Sequence, residues 1–111
     1  MDTPDHPIAR AADLIDKGSG HRFLLPDGRA AFLIRFEGQV KAYINECQHL
    51  PTELDWNLGQ FLDADQQYLI CATHGAIYDP ISGLCVGGPC RGKTLKAVKF
   101  EEKDGLIYLT N

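Results

Sequence analysis

The chain is 111 residues long and carries 11 Lys and Arg against 15 Asp and Glu, which gives a formal net charge of −4. With 44% hydrophobic and 23% charged residues, its composition is that of an ordinary globular protein rather than a disordered or fibrous one. The length suits a single domain, 1–111, and excludes a second catalytic domain. A negative net charge is not what a nucleic-acid-binding protein needs, but it suits docking onto a positively charged protein surface.

The N-terminal residues, 1–7, contain neither the basic nor the apolar region of a signal peptide. No stretch approaches the roughly 20 apolar residues that span a bilayer. We therefore expect a cytoplasmic protein with no membrane partner. Thiols stay reduced in that compartment, so four cysteines in so short a chain point to metal binding or redox chemistry before a disulfide framework.

Short apolar runs alternate with turn dipeptides after the first 20 residues, which are polar and irregular in pattern. The runs are 22–25, 30–36 and 40–44, and together they predict a β-meander. In the last run, apolar residues at 40, 42 and 44 alternate with Lys41 and Tyr43. That alternation predicts a strand with one buried face.

A second hairpin is predicted near the C-terminus, where the runs 95–100 and 106–109 flank a turn signal at Asp104-Gly105. Between the two hairpins the chain is rich in Gly, Pro and Asp and holds all four cysteines. The predicted fold is all-β, an antiparallel sandwich or barrel. Its scaffold would span about 8–44 and 93–111, with a loop-built subdomain at about 45–92.

Two cysteines and two histidines are closely paired within this loop-built segment, which is a metal-site signal. Thiolate and imidazole suit iron and zinc alike, so ligand type alone does not choose between the two metals. The spacer between the pairs has 21 residues, and we expect Trp56 and Phe61 to pack it onto the scaffold. The two pairs are Cys47-Gln48-His49 and Cys71-Ala72-Thr73-His74.

The arrangement resembles the Rieske iron-sulfur family, whose pattern is Cys-x-His, a spacer, Cys-x-x-His-Gly, and a Gly-Pro loop, with β strands on both sides. The matching residues are 47–50, 71–79, 82–83 and 87–89. The resemblance implies one 2Fe-2S cluster per chain, with Cys47 and Cys71 on one iron and His49 and His74 on the other. Such ligation gives a higher reduction potential than an all-cysteine cluster.

The resemblance also implies which residues surround the cluster. Gly75 follows the histidine ligand, where a residue without Cβ lets the backbone turn close to the metal. Ala76 stands where respiratory members have a serine, and the missing hydroxyl donor lowers the expected potential. Tyr78 is either a hydrogen-bonding tyrosine or a core aromatic with its hydroxyl at the surface. The full set of expected neighbours is Leu50, Gly75, Ala76, Tyr78, Gly88 and Pro89.

Two departures from the respiratory pattern concern cysteines. Thr52 and Thr73 stand where respiratory Rieske proteins have the two cysteines of a disulfide, so the chain resembles the soluble ferredoxin branch. Cys85 and Cys90 are off the pattern and bracket residues 86–89. In a reducing compartment we expect these two to be buried free thiols rather than a disulfide.

Resemblance to the ferredoxin branch implies a one-electron carrier with no enzyme activity of its own, working as a monomer in a multi-component dioxygenase system. The expected partners are a flavoprotein NAD(P)H reductase and a terminal oxygenase. Three alternatives remain at this point. They are a structural Cys2His2 zinc module without redox function, a small subunit of an assimilatory nitrite reductase, and a redox sensor.

Overall fold

The computed structural model describes residues 7–47, 53–55, 59–71 and 75–110. These residues form three antiparallel sheets of three strands each, with one short 3-10 turn at Ala11–Asp13 and no α-helix in the described ranges. The predicted all-β antiparallel fold is confirmed. The strands are β1 Ala9–Arg10, β2 His21–Leu24, β3 Ala30–Phe36, β4 Gln39–Ile44, β5 Leu69–Ile70, β6 Ile77–Tyr78, β7 Cys85–Gly87, β8 Phe100–Lys103 and β9 Leu106–Leu109.

The central sheet has the order β2-β3-β4 and matches the predicted meander closely. Its second hairpin turns at Glu37-Gly38, where both residues have positive φ, 50° and 80°. Two successive left-handed residues make the two-residue turn whose twist suits antiparallel strands. The turn sets the register, with Phe36 opposite Gln39 and Phe32 opposite Tyr43.

The second sheet joins the two ends of the described chain in the order β1-β9-β8. The predicted hairpin is present, but its first strand is displaced, because β8 begins at Phe100 rather than ending there. The turn at Asp104-Gly105 pairs Lys103 with Leu106, so the residues directly before the turn must form the strand. The backbone of Lys96 and Val98 bonds to β4 instead: the Ile44 N–H donates to the Lys96 carbonyl, and the Val98 N–H donates to the Ala42 carbonyl.

The third sheet, β5-β6-β7, lies within the segment 45–92 that was predicted to be loop-built. Its strands are only two or three residues long, and an irregularity between Ile77 and Tyr78 shifts the register against β7. The sheet is therefore a small frame from which loops extend. The division of the chain into a scaffold and a subdomain stays a prediction.

Strand β3 lies between two hydrophobic cores. Phe32 and Ile34 belong to the core that also holds the cysteines, whereas Leu33 belongs to a second core with Ala42 and Ile107. Alternate side chains of a strand point to opposite faces, so the central sheet is covered on both faces. The prediction of a single buried face for β4 is therefore wrong.

The face of β4 that was expected to be open carries Tyr43, which is only 2% exposed. Its hydroxyl lies 2.8 Å from the carbonyl oxygen of Pro80 and 3.0 Å from that of Ile81, and donates to them. Burial, with a smaller contribution from the charge of Asp79, raises the pKa of Tyr43 to about 12. Tyr43 thus ties the central sheet to the turn that connects β6 and β7.

Candidate metal centre

The two predicted cysteine ligands lie just beyond the ends of strands. Cys47 follows β4 after two residues, and Cys71 follows β5 directly. Both are buried, at 3% and 0% exposure, and both belong to the core that contains Phe32. The predicted ligands His49 and His74, with the expected neighbour Leu50, lie outside the described residues.

The loop after Cys71 is closed by a pair of reciprocal backbone hydrogen bonds. The Cys71 N–H donates to the Ala76 carbonyl at 2.8 Å, and the Gly75 N–H donates to the Cys71 carbonyl at 2.9 Å. Gly75 has φ +74°, a conformation that residues with a Cβ rarely adopt. The backbone at Ala76 therefore lies beside Cys71, five residues before it, while the approach of Gly75 to the metal stays a prediction.

The Gly-Gly-Pro loop lies against the loop that follows Cys71. A Cβ on Gly88, whose φ is +90°, would stand 2.8 Å from the Cα of Ala76 and 3.4 Å from the carbonyl oxygen of Gly75. A real side chain does not fit at such a distance, so Gly88 is required here by contact as well as by conformation. Gly88 and Pro89 are themselves exposed, whereas Ala76 is fully buried.

Tyr78 is fully buried, and its hydroxyl lies 3.5 Å from Cys47 Sγ. The surface hydroxyl is therefore wrong, because the hydroxyl is buried in contact with a sulfur, and its role as a donor to the cluster stays a prediction. A donor at this sulfur matters chemically because hydrogen bonds to a thiolate ligand stabilise the more negative, reduced state of a cluster.

Cys90 and Cys85 lie beside Tyr78, next to the predicted site. Cys90 Sγ is 3.1 Å from the Tyr78 hydroxyl and 2.9 Å from Cys85 Sγ. Both cysteines are buried free thiols, as predicted. Burial raises the pKa of the Cys90 thiol, and its hydrogen bond with Cys85 acts in the same direction. In the sequence, the two cysteines stand on either side of the Gly-Gly-Pro loop. Because this loop packs against the loop after Cys71, both cysteines lie near the predicted site.

A second polar network, missed by the sequence reasoning, anchors the spacer between the ligand pairs. Asp55 has a fully buried carboxylate that accepts hydrogen bonds from Arg22 at 2.8 Å and from Asn45 at 2.9 Å. The N–H of Gly59 also donates to it at 2.9 Å. Burial alone would raise the pKa of Asp55, but these hydrogen bonds outweigh it and hold that pKa below its ordinary value.

The same network reaches the loop that carries Cys47. Asn45, two residues before Cys47, accepts a hydrogen bond from the Leu54 N–H at 2.9 Å through its side-chain oxygen. The spacer also packs through Phe61, which stacks on Phe32 with ring centroids 3.9 Å apart. Packing of the spacer is therefore confirmed at Phe61, while Trp56, Thr52 and Thr73 lie outside the described residues.

Residues 6–101 match the family described as the Rieske [2Fe-2S] domain. Because this match covers most of the chain, the protein belongs to that family, and its cofactor is a 2Fe-2S cluster, as predicted. The described residues fit such a cluster: two buried thiols, a hydroxyl beside one of them, and a tight glycine contact between the two loops. The match favours iron over a structural zinc site.

Solved structures with the same fold include two ferredoxins that are matched over nearly their whole length. The ferredoxin of carbazole 1,9a-dioxygenase from Nocardioides aromaticivorans IC177 is 23% identical, with a TM-score of 0.76 and 98% of each chain covered. The Sphingomonas yanoikuyae B1 ferredoxin is 19% identical, with a TM-score of 0.77 and 99% of each chain covered.

A larger protein contains the same fold as one part. The terminal oxygenase of carbazole 1,9a-dioxygenase from Novosphingobium sp. KA1 is 23% identical with a TM-score of 0.77, and the match covers 94% of this chain but 28% of that one. No curated protein sequence matches this chain. Among the described residues there is no helix with the length and hydropathy needed to cross a membrane.

Proposed function

We propose that this protein is a Rieske-type ferredoxin, a one-electron carrier without turnover of its own. Cys47 and Cys71 would hold one iron of the cluster, and His49 and His74 the other. The observation that carries the proposal is the hydroxyl of Tyr78 placed 3.5 Å from Cys47 Sγ, in a chain that belongs to the Rieske family. A hydrogen bond to a thiolate ligand tunes the reduction potential of a cluster, and the family match favours a cluster over structural zinc.

The proposed partners are a flavoprotein NAD(P)H reductase, which supplies the electron, and a terminal oxygenase, which accepts it. One solved structure with this fold, 21% identical, is a complex of reduced oxygenase and oxidised ferredoxin in carbazole 1,9a-dioxygenase, and the match covers 95% of this chain and 91% of that one. That likeness supports an oxygenase as the acceptor. We further propose a monomer in the cytoplasm, where Cys85 and Cys90 would stay reduced.

The cluster provides one-electron chemistry at a potential set by its ligands and their hydrogen bonds. The described residues contribute three things to it. Cys47 and Cys71 present thiolates from strand ends, Tyr78 donates a hydrogen bond to Cys47, and the contact of Gly88 with Ala76 keeps the two loops together. Burial of both sulfurs limits water around them and so strengthens each hydrogen bond.

The first test is metal and sulfide analysis with electron paramagnetic resonance of reduced protein purified without oxygen. We expect two irons per chain and the low average g value that mixed His and Cys ligation gives. Replacing His49 or His74 by Cys should keep the iron but move the signal and the potential towards those of an all-cysteine cluster. His21→Cys is the matched control because His21 is exposed on β2, and it should change neither.

One zinc and no visible colour would overturn the proposal. So would a wild-type signal typical of all-cysteine ligation, which removes the two histidines as ligands. The carrier function is tested separately, by following reduction with NADH or NADPH and a flavoprotein reductase, and then reoxidation by a terminal oxygenase. Rapid cycling without change of shape supports a carrier, whereas a large change of shape with cluster state supports a sensor.

A further inference from the structure

The charges of this acidic protein are unevenly distributed along the chain. Residues 86–100 contain four of the 11 basic residues and none of the 15 acids. All four are exposed, and among the residues that the structure describes none of them makes an ion pair or a side-chain hydrogen bond, whereas Arg22 and Arg29 both pair with carboxylates. The four are Arg91, Lys93, Lys96 and Lys99.

The first two of these cations adjoin the candidate metal centre. The Arg91 N–H donates to the Gly88 carbonyl at 3.4 Å, and Gly88 contacts the backbone of Ala76 in the loop that follows the predicted ligand. Lys93 lies beside the same loop, because its N–H donates to the carbonyl of the residue before Arg91 at 2.9 Å. Together with the exposed Gly88 and Pro89, these two cations form a surface that we call the basic rim.

Acids in the same part of the chain lie at the other end of the third sheet. Strand β5 runs towards Cys71 and β7 runs towards Gly88, so both loops of the candidate site extend from one end. The pairing of β5 with β6 therefore places Asp65, in the turn before β5, and Asp79, directly after β6, at the opposite end. Glu46, next to the predicted ligand Cys47, is half-buried.

The two acids of the spacer are partly neutralised. Glu53 and Asp55 share one cation, the guanidinium of Arg22, and the side chain of Asp55 is fully buried. The basic rim therefore keeps its positive charge at the end of the sheet that holds the candidate metal centre.

We propose that the basic rim is a docking face for an acidic protein surface, on which carboxylates surround the point where the electron is exchanged. The inference rests on the proposed function and adds the chemistry of the partner's surface to it. At an ionic strength of 0.1 M the Debye length is about 10 Å. The molecule is 39 Å long, so a partner at the rim interacts mainly with the cations beside the cluster. The net charge, which favours a positively charged partner, does not describe this face.

The experiment follows oxidation of the reduced holoprotein by small one-electron oxidants of opposite charge, in a stopped-flow instrument. Ferricyanide, a trianion, and tris(phenanthroline)cobalt(III), a trication, each take one electron from the reduced cluster and return it to the oxidised state. As the ionic strength rises from about 0.1 to 0.5 M, we expect the rate with ferricyanide to fall and the rate with the cobalt complex to rise. Control by the net charge of −4 would reverse both signs and would overturn the proposal.

Charge reversal distinguishes the rim from the rest of the surface. Arg91→Glu combined with Lys93→Glu should lower the ferricyanide rate by about fivefold or more at low salt. The matched control is Lys99→Glu combined with Lys103→Glu, which changes the net charge equally at exposed positions beside and on β8, in the sheet that packs on the core without cysteines. We expect the control to change the rate by less than about twofold, because these charges are screened at the rim. Equal decreases in the two double variants would overturn the proposal.

An acidic polypeptide tests the class of partner. Poly-L-glutamate at low salt should occupy the rim and slow the oxidation of wild type by ferricyanide, while the double variant Arg91→Glu with Lys93→Glu should be unaffected. Poly-L-glutamate that leaves the wild-type rate unchanged, or slows both proteins equally, would overturn the proposal.

Iron content and the reduced resonance signal are measured on every variant before its rates. If wild type holds no 2Fe-2S cluster, the proposed function itself has failed. If wild type holds the cluster but its rates follow the net charge, only the docking face has failed. Should the charge-reversed rim variant lose its cluster, Arg91→Gln with Lys93→Gln removes both charges without adding acids. The ferricyanide rate must then still fall, and an unchanged rate would overturn the proposal.

Discussion

Arg22 and Asp55 are 33 residues apart in sequence, yet one guanidinium nitrogen of Arg22 lies 2.8 Å from both carboxylate oxygens of Asp55. The Asp55 side chain is fully buried, and that of Arg22 is 30% exposed. The other terminal nitrogen of Arg22 bonds to Glu53, which is exposed. One arginine of the central sheet therefore holds two acids of the spacer that separates the ligand pairs, and the two acids differ chiefly in burial.

Asp55→Ala should destabilise the protein far more than Glu53→Ala. Removing the buried carboxylate leaves Asn45, the Gly59 N–H and Arg22 without their acceptor, a loss of about 3 kcal/mol. An exposed ion pair contributes about 0–1 kcal/mol. By circular dichroism at a fixed heating rate, we expect the apparent Tm to fall by roughly 10 to 20 °C for Asp55→Ala and by less than about 5 °C for Glu53→Ala. Equal decreases would contradict the assignment of Asp55 as the anchor.

The contribution of Asp55 should also depend on pH. Its pKa in the folded protein is lowered, so the stabilisation is present above the unfolded value of about 3.9 and is lost as the pH falls through the folded pKa. The difference in apparent Tm between wild type and Asp55→Asn should therefore shrink as the pH is lowered from 6 to 3. A difference that stays constant over this range would show that the carboxylate charge plays no part.

Asp27→Asn is the control for this pH series. The pKa of Asp27 is also lowered, chiefly by the hydrogen bond from the Arg29 N–H, but Asp27 is exposed in a turn. Solvent screens such a pair, so we expect little difference from wild type at any pH.

Gly88→Ala should weaken cluster retention more than Gly92→Ala. The two glycines have nearly the same φ, +90° and +92°, so the conformational cost of a Cβ, about 1–2 kcal/mol, is shared. They differ in surroundings, because a Cβ at Gly92 meets nothing within 4 Å, whereas one at Gly88 meets the backbone of Ala76 at 2.8 Å. Iron per chain after gel filtration and apparent Tm are the measurements, and the same iron loss in both variants would remove the contact as the cause.

Cys85 and Cys90 should react slowly with iodoacetamide in the native protein. Both thiols are at most 2% exposed, and alkylation needs an accessible thiolate. Peptide mapping should show labelling more than about tenfold slower than at a cysteine introduced by Glu101→Cys, on exposed strand β8. Labelling of Cys90 as fast as the introduced cysteine would contradict its burial.

Local rules predicted the parts of the fold that depend on neighbours in sequence. Strands β3 and β4 were predicted almost residue for residue. The apolar runs mark the two strands, and the turn at Glu37-Gly38 between them sets where one ends and the other begins. The displaced β8 shows the limit of apolar runs alone, since the turn at Asp104-Gly105 sets the register and the backbone of Lys96 and Val98 bonds to β4 instead.

The candidate site likewise has residues that a local motif predicts and residues that it does not. Cys47, Cys71 and the surrounding glycines were predicted from a motif with fixed spacing, and the two cysteine and two histidine ligands all stay a prediction. The contacts of Asp55 and Cys90 were not predicted, because each is made only after distant segments fold together. No local pattern distinguishes a buried aspartate that binds Arg22 from a solvated one.

Strand β3 contributes side chains to both cores, with Phe32 on one side and Leu33 on the other. Neither core can close before this strand is in place, and its pairing with β4 joins residues that are close in sequence and so forms early. We expect the order of assembly to follow: the central hairpin first, the terminal sheet against one face, and the loops with their iron against the other. Loading of the cluster would then be a late event on a surface that has already taken shape.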